Sequence, residues 1–539
     1  MALDTLEQRA APPPARRRSA YALVLATTAL LVVVGLAVAV LVWSSPTLGP
    51  SRTALARIQL PVFAGSLVRA TAFAPDGTRI PLTERDGQLT PKTKLTPGES
   101  VTVDVVVKRP GWLSWALGST HTERLTVRAP LAQISDPWVT LAAGAPLRVS
   151  FGAAPARVRS TAHFSRRSRT LSFGRPAAAA GSLELRAAAR RWERLGQVQT
   201  VSWFPQSSSP VLVATPGASS QLDPTTPIRL TFSQPVAQAI GTTLPRIEPH
   251  VAGSWRETDS HTLVFTPSGI GFPLAGSLQV VLSRSVDASQ PQSVSTQPTK
   301  TIGYSVAAGT TLRLQQLLAQ AGYLPVDWTA SAGPVAQTAQ AETVAAIDPP
   351  AGSFNWRYAD TPAPLQALWT AGAPNVITKG AVMTFERQHG LAVDGIAGPK
   401  VWHALLAAAI AGKRHTAPYS YVYVHSQVPE SLTLWSAGHV VLRSPGNTGI
   451  PSRPTQPGTF TVFEHIPVGT MSGTNPDGSK YHDPGIRYIS YFNGGDAIHE
   501  YPRASYGTPQ SLGCVELPLA AAAKVWPYTP VGTLVTIVD

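Results

Sequence analysis

The residues best suited to chemistry are one thiol and one imidazole near the carboxyl end of the chain. Cys514 is the only cysteine in the sequence, and it follows His499 by fifteen positions. A thiol is a useful nucleophile only as its thiolate, and a neighbouring histidine can take the proton. The pair predicts a reactive thiol, with Cys514 as the nucleophile and His499 to take its proton or stabilise its anion. An inert buried cysteine is the alternative.

The backbone next to the cysteine also suits such a reaction. Gly513 lets a substrate approach the backbone closely. The N–H groups of Gly513 and Cys514 are candidates to stabilise an oxyanion, and Ser511 is a candidate positioning residue. The separation of fifteen residues is too long for one helix face, whereas two neighbouring strand ends bring such residues together. We therefore expect His499 and Cys514 to lie at adjacent strand ends.

Strand patterns fill the segment that must position this pair. Residues 419–539 contain several alternating apolar and polar runs, and His499 closes one of them. A short alanine-rich helix and a last strand follow Cys514. Residues 468–484 are rich in Gly, Asn and Asp, which predicts a flexible loop. The sequence thus predicts a β-rich catalytic domain over residues 419–539.

An apolar segment near the amino terminus predicts a membrane anchor. Residues 21–43 carry no charge and follow Arg16, Arg17 and Arg18. A helix of that length would be about 35 Å long, enough to span a bilayer. The positive-inside rule places residues 1–20 in the cytoplasm and the remainder on the cell-wall side. A cleaved signal peptide is the alternative, but its apolar region would be shorter.

The charge balance excludes some partners. The formal net charge is +14, yet the arginines are scattered, and neither zinc-finger spacing nor a long basic helix occurs. A basic protein in an anionic envelope explains this better than nucleic-acid binding. No His-x-x-x-His or His-Glu-x-x-His pair and no second cysteine are present. We therefore expect no nucleic acid, no metal and no cofactor.

Two regions between the anchor and the catalytic segment predict β-sandwich modules. Residues 54–210 show short alternating strands separated by turns, which indicates one or two modules divided near residue 130. Residues 212–307 alternate more clearly. Their phrase TPIRLTFSQPV resembles the start of bacterial Ig-like modules, which implies a spacer between the membrane and the catalytic domain.

The period changes to helical after residue 310. Residues 310–408 include the run MTFERQHGLAVDGIAGPKVWHAL, in which a helix end, an Asp-Gly turn and a helix start follow in order. This run resembles the three-helix peptidoglycan-binding module. The resemblance implies a small helical domain, interrupted at about residues 325–375 by an apparent insertion. Its glycines are expected to form turns and its apolar residues to form the core, so no ligand contact is assigned to them.

The carboxyl-terminal motifs resemble the L,D-transpeptidase (YkuD-type) catalytic domain. That family has a histidine and then Ser-His-Gly-Cys followed by an apolar residue, which His499, Ser511, Gly513, Cys514 and Val515 match. PTQPGTF and the Gly-Gly-x-x-Ile-His approach to His499 are similar to further family motifs. Taken together, the modules predict a multidomain, mainly β protein with one transmembrane helix.

Three positions depart from the family pattern. Leu512 replaces the histidine before Gly-Cys, and Glu516 stands where Arg or Asn is common. Glu500 replaces a small residue and is expected to favour the imidazolium form of His499. A non-catalytic wall-binding scaffold is therefore an alternative to the enzyme.

The resemblance also implies substrates and inhibitors. Cys514 would attack the third residue of a tetrapeptide stem of peptidoglycan, release D-Ala, and pass the acyl group to a second stem as a 3→3 cross-link. Transfer to water would make the protein an L,D-carboxypeptidase. Carbapenems are expected to acylate Cys514. In the family that these motifs resemble, a lid covers the active-site cleft, and residues 468–484 stand at the corresponding place in this sequence. Tyr481 and Tyr491 are candidate substrate-binding residues.

Overall fold

The computed structural model describes residues 17–159, 168–289 and 296–538. The chain divides into two compact units, residues 1–206 and residues 207–539. The fold is mainly β, as the sequence predicted, with an apolar amino-terminal helix and a small helical region. Most of the proposed cytoplasmic tail, residues 1–16, lies outside the described residues.

The first unit begins with helix α1, Arg17–Ser44. Its segment Leu23–Ser44 is long and apolar enough to cross a membrane and is not buried by protein. At about 1.5 Å per residue this segment is roughly 33 Å long, close to the thickness of a bilayer core. The hydroxyl of Thr27 donates to the carbonyl of Leu23 at 2.9 Å. Its polarity is thereby satisfied within the helix, as an apolar environment requires.

A seven-stranded sheet follows α1, in the order β1-β2-β5-β4-β3-β6-β7. Its elements are β1 Thr47–Pro50, β2 Ala56–Gln59, β3 Ser66–Phe73, β4 Arg79–Arg85, β5 Gln88–Pro91, β6 Ser100–Lys108, α2 Gly111–Leu117 and β7 Thr120–Arg128. In β6 every second residue is buried, because side chains alternate between the faces of a strand.

The rest of the first unit forms two smaller sheets, one of four strands in the order β10-β12-β13-β8 and one pairing β11 with β9. Their strands are β8 Trp138–Leu141, β9 Arg148–Ser150, β10 Arg157–Arg159, β11 Thr170–Ser172, β12 Gly181–Ala188 and β13 Gln199–Pro205. A core of their own, which includes Phe151, Leu185 and Val201, lies among these strands.

The second unit opens with an eight-stranded sheet in the order β15-β21-β20-β14-β16-β19-β18, with β17 paired to β20. Its elements are β14 Val211–Thr215, β15 Gln221–Leu222, β16 Ile228–Phe232, α3 Val236–Ala239, β17 Arg246–Glu248, β18 Gly253–Asp259, β19 Thr262–Pro267, β20 Ser277–Ser289 and β21 Thr296–Val306. β16 and β19, which the sequence alternation indicated, pair directly through Leu230 and Leu263.

The helical region comes next. It consists of α4 Thr311–Gln320, β22 Val326–Ala330, α5 Ala339–Ile347, β23 Gly352–Trp356, α6 Ala363–Gln366, α7 Val376–Gln388 and α8 Pro399–Ile410. The stretch interpreted as an insertion is part of the module: β22 and β23 pair antiparallel on either side of α5 in sequence, and Trp328 and Phe354 pack on the core that holds Phe385 and Trp402. The abundance of Pro, Ala and Ser had hidden the role of these partly buried aromatic residues.

The carboxyl-terminal domain has two sheets. Its elements are β24 Ser420–His425, β25 Ser431–Ser436, β26 His439–Pro445, β27 Gly458–Thr461, β28 Glu464–Thr474, β29 Lys480–Asn493, β30 Asp496–Glu500, β31 Val515–Leu517, α9 Leu519–Val525, a 3-10 helix Trp526–Tyr528 and β32 Leu534–Val538. One sheet has the order β26-β25-β24-β32-β27 and the other β28-β29-β30-β31. Apolar side chains of both sheets and of α9 form one core.

The predicted flexible loop at residues 468–484 is instead a long antiparallel hairpin. β28 and β29 pair from Glu464 with Tyr491 as far as Thr474 with Lys480. Only the turn around Pro476-Asp477-Gly478 interrupts the strands. The glycines and asparagine suggested a loop, but continuous backbone pairing to one partner strand outweighs their low strand preference.

Candidate active site

Two parallel strands bring the thiol and the imidazole to one face. β30 pairs with β31 in register, with Ile498 opposite Val515 and His499 opposite Glu516. Cys514 directly precedes β31, two positions before Glu516, so strand alternation puts Cys514 and His499 on the same face. Ile498 and Val515 point to the opposite face and into the core. The two residues thus belong to neighbouring strands and share a face, and their direct contact stays a prediction.

The imidazole of His499 is held in one tautomer. Its Nδ1 lies 2.9 Å from the carbonyl oxygen of Glu500, so Nδ1 carries the proton and donates. The side chain is buried, and its Nε2 has no hydrogen-bond partner among the described residues. Burial lowers the pKa of His499, although the Glu500 carbonyl and the Glu516 carboxylate act in the opposite direction. The imidazole therefore rests neutral, with a lone pair on Nε2 available to accept a proton.

The environment of Cys514 keeps its thiol protonated at rest. Burial above all, with added effects of Asp496 and Glu516, raises its pKa to about 12, although the Ala497 N–H acts in the opposite direction. Its Sγ lies 3.7 Å from the carbonyl oxygen of Gly495. The residue is nevertheless partly exposed to solvent. A thiol with a raised pKa needs a base at the moment of attack, because forming the thiolate beforehand costs free energy.

Ser511 and Gly513 build the turn that presents the cysteine. The Ser511 hydroxyl donates to the Cys514 carbonyl at 2.6 Å and accepts from the Gly513 N–H at 3.2 Å. The Gly513 N–H is thus engaged, so in this conformation it organises the turn and is not free for an oxyanion. Thr455, from the PTQPGTF motif, donates to the Gly513 carbonyl at 2.8 Å and is buried.

Asp496 lies against this turn, and sequence reasoning had not singled it out. A Cβ added to Gly513 would lie 2.2 Å from Asp496 Oδ1, and Gly513 also adopts a φ of +123°. Asn493 donates to the other carboxylate oxygen at 3.2 Å. Burial raises the pKa of Asp496. Only its position three residues before His499 could have marked it in the sequence.

Glu516 is paired with an arginine that the sequence did not reveal. Arg503 Nε and Nη2 lie 2.8 and 2.7 Å from the two carboxylate oxygens of Glu516. The guanidinium also lies 4.6 Å from the ring centre of Tyr501. The acidic residue at this position, a departure from the family, is thus neutralised within the site. The signal in the sequence was a carboxylate between two apolar residues, Val515 and Leu517, because a buried carboxylate needs a cation near it.

The Glu500 carboxylate raises the pKa of His499 and so favours the imidazolium, as the sequence predicted. Strand alternation directs its side chain away from the His499 side chain, and its Oε2 lies 3.3 Å from Arg487 Nε. The burial of His499 outweighs its effect on the imidazole pKa. The predicted direction of the Glu500 effect is thus confirmed, and the neutral imidazole follows from the burial of His499, which the sequence did not reveal.

The candidate tyrosines both lie within electrostatic range of the thiol. Tyr491 of β29 pairs with Ala497 and belongs to the same small apolar cluster as Cys514. Tyr481 lies near the tip of the β28–β29 hairpin, opposite Gly473. A charge on Cys514 raises the pKa of each tyrosine, second to burial. Within the described ranges no group of three or more His, Cys, Asp or Glu residues could hold a metal ion.

The Arg503–Glu516 pair gives a prediction for stability. Arg503→Leu should lower the catalytic-domain unfolding free energy by about 2–3 kcal/mol, because it leaves a buried carboxylate unpaired. Arg503→Leu with Glu516→Leu should recover most of that loss. Scanning calorimetry of the full chain measures both.

A matched control is Arg246→Leu, which removes the single, longer contact to Glu248, a carboxylate whose side chain is 54% exposed. It should cost less than about 1 kcal/mol. Equal losses in the two arginine variants, or no recovery in the double variant, would contradict a dedicated buried pair.

The comparisons with known proteins agree with the motifs. Residues 420–537 match the family model YkuD, described as the L,D-transpeptidase catalytic domain. The carboxyl-terminal domain matches the L,D-transpeptidase family. Residues 372–405 match a putative peptidoglycan binding domain, a shorter stretch than residues 310–408. Both resemblances inferred from the sequence are thus confirmed.

Several solved structures are similar. An L,D-transpeptidase from Mycobacterium smegmatis is 13% identical, with 62% of this chain and 100% of that one covered and a TM-score of 0.21. LD transpeptidase LdtMt1 in complex with imipenem is 14% identical, with 61% and 99% covered and a TM-score of 0.21. The catalytic domain of the E. faecium L,D-transpeptidase is 26% identical, with 22% and 96% covered and a TM-score of 0.21. No curated protein matches the sequence.

Proposed function

We propose that this L,D-transpeptidase-type domain makes 3→3 cross-links between tetrapeptide stems of peptidoglycan through a thioester on Cys514. The observation that carries the proposal is the pairing of β30 with β31. That pairing puts a neutral thiol and a neutral imidazole with an unpartnered Nε2 on one face. General-base removal of the thiol proton during attack fits both protonation states.

The proposed reaction moves one proton at a time among Cys514, His499 and the two amines. His499 Nε2 takes the Cys514 proton as sulfur attacks the carbonyl carbon of the third stem residue. The imidazolium then returns this proton to the departing amine, so D-Ala leaves and a thioester remains. The amine of a second stem attacks the thioester and gives its proton to His499, and the thiolate recovers it. An amide cross-link forms, and the enzyme returns to its starting state.

Other residues have supporting roles in this proposal. Ser511 and Gly513 hold the cysteine turn, and the Cys514 N–H is the candidate oxyanion donor. Tyr491 and Tyr481 border the thiol and are proposed to contact the stem. The β28–β29 hairpin, which contains residues 468–484, is proposed to cover the cleft as the lid.

The remaining modules are proposed to place the enzyme. Helix α1 anchors the chain with residues 1–20 in the cytoplasm and the catalytic domain on the cell-wall side. The β modules at residues 54–210 and 212–307 serve as spacers, and the helical module at residues 310–408 holds peptidoglycan. In the second unit this module packs on the catalytic domain, since Tyr421 and Leu534 share its core.

A carbapenem tests the chemistry directly. The full chain in detergent is incubated with imipenem, and its intact mass is recorded. We expect one drug-sized adduct on the native protein and none on Cys514→Ala, because a β-lactam carbonyl takes the place of the stem carbonyl. A folded native protein without an adduct would favour the non-catalytic scaffold. Purified tetrapeptide stems then separate cross-linking from L,D-carboxypeptidase activity by the product mass.

A further inference from the structure

Six apolar side chains are exposed together at one end of the seven-stranded sheet. They come from the segment between β2 and β3, from the start of β3, and from α2. We call them the apolar base: Leu60, Val62, Val68, Trp112, Trp115 and Leu117. Val62 is 90% exposed and Trp115 is 86% exposed. Two exposed tryptophans among six exposed apolar side chains at one end of a sheet indicate an interaction surface.

Strand pairing brings these segments together. β3 is antiparallel to β6, and Ser66 at the start of β3 pairs with Lys108 at the end of β6. The loop that precedes β3 therefore meets α2, which follows β6. Their contact is close, since the rings of Phe63 and Trp112 lie 5.7 Å apart in an edge-on arrangement.

The same end of the sheet receives the chain from the apolar helix. β1 is antiparallel to β2, and Thr47 at the start of β1 pairs with Gln59 at the end of β2, directly before Leu60. Only Ser45 and Pro46 separate α1 from β1, a step of at most about 11 Å. The apolar base thus lies at the end of the sheet where α1 would leave the bilayer.

The tryptophans are displayed by a fixed turn. Leu113 of α2 is buried and anchors that helix to the domain. The Arg109 guanidinium donates to the carbonyls of Leu117 and Thr120 and contacts His121 Nδ1 at 2.8 Å. These contacts tie both ends of the α2 segment, so the outward position of Trp115 follows from the fold.

We infer that the apolar base rests on the outer leaflet of the same membrane, with its tryptophans at the lipid headgroup level. Indole rings favour this layer because one part is apolar and the N–H is polar. Exposed Lys108 and Arg85 lie at the same end of the sheet and can meet anionic lipid phosphates. The inference rests on the proposed membrane anchor. Its effect would be to hold the first β module at a fixed height on the bilayer.

Fluorescence quenching in vesicles tests the contact. Cys514→Ala removes the only cysteine, and Ser119→Cys then carries an environment-sensitive dye beside the apolar base. The matched control is Thr78→Cys, in the β3–β4 turn at the opposite end of the same sheet. The full chain is reconstituted in vesicles of phosphatidylethanolamine and phosphatidylglycerol that contain a nitroxide lipid.

We expect the dye at position 119 to be quenched several-fold more than the dye at position 78. Adding Trp112→Ser and Trp115→Ser should reduce the quenching at position 119 to the control level. Flotation of the vesicles measures the anchor separately. Equal quenching at both positions in protein that floats would overturn the inference and leave the anchor standing. A blue-shifted but unquenched dye would mean that protein, such as a second copy, covers the patch. Protein that fails to float would overturn both.

Discussion

Replacing His499 with alanine is expected to slow acylation of Cys514 by about a thousandfold at neutral pH. The reason is the protonation state of the pair. Burial holds the Cys514 pKa at about 12, so very little thiolate is present near pH 7. The neutral imidazole of His499 is the base that takes the proton during attack. The rate of carbapenem adduct formation, followed by intact mass, measures the effect.

The pH profile distinguishes loss of a base from loss of structure. In the native protein, acylation should decline only on the acid side, as His499 becomes protonated below its lowered pKa. In His499→Ala the rate should instead rise about tenfold per pH unit through the alkaline range, because the reaction then requires free thiolate. Above pH 8 the acylation rate should therefore be flat in the native protein and rising in His499→Ala. This difference identifies His499 as the general base.

The control is His439→Ala, which changes an exposed histidine of β26 in the same domain. It should acylate at the native rate. A flat alkaline profile in His499→Ala, with its melting temperature unchanged, would contradict the general-base role. A native rate in that variant would do so as well.

Much of this site was predictable because its chemistry depends on rare residue types. One cysteine and one histidine before it define the nucleophile and the base, and alternation identified the strands that carry them. The parallel pairing of β30 with β31 was expected only as two adjacent strand ends. The pattern along each strand shows which face is apolar, whereas the partner strand is set by the whole fold.

The residues that escaped prediction act across that pairing. Arg503 lies in an irregular segment, and nothing in its own neighbourhood indicates that it meets Glu516. Asp496 and Thr455 reach the cysteine turn from β30 and from the segment before β27. The burial of His499, which outweighs the raising effect of Glu500 on its pKa, was not predicted either. These contacts join residues by register and by loop path, which composition does not encode.

Two segments were assigned the wrong structure from the sequence for the same reason, because their structure depends on partners elsewhere in the fold. The β28–β29 hairpin has the composition of a loop, yet each strand has a partner along its full length. The stretch at residues 325–375 holds Trp328 and Phe354, whose burial depends on a core built by α4, α7 and α8. In both cases tertiary contacts outweigh local preference.

Gly513→Ala is expected to lower the acylation rate by about a hundredfold and the unfolding free energy by about 1–3 kcal/mol. Two independent causes act there. A φ of +123° is disfavoured for any residue with a Cβ, and the added atom would lie 2.2 Å from Asp496 Oδ1. The turn that Ser511 holds must shift to relieve either the disfavoured φ or the close contact. Cys514 would then leave its position beside β30, and misplacement by about 1 Å is enough to lose that rate.

Asp496→Ala separates the two causes. Alone, it should not slow acylation, since the Asp496 carboxylate raises the pKa of the Cys514 thiol. Combined with Gly513→Ala, it removes the close contact but leaves the backbone strain. Partial recovery of the rate in the double variant would therefore assign the remaining loss to the backbone conformation. A native rate and melting temperature in Gly513→Ala would instead show that the turn reaches the reactive geometry by another path, and the glycine would then be dispensable for presenting the thiol.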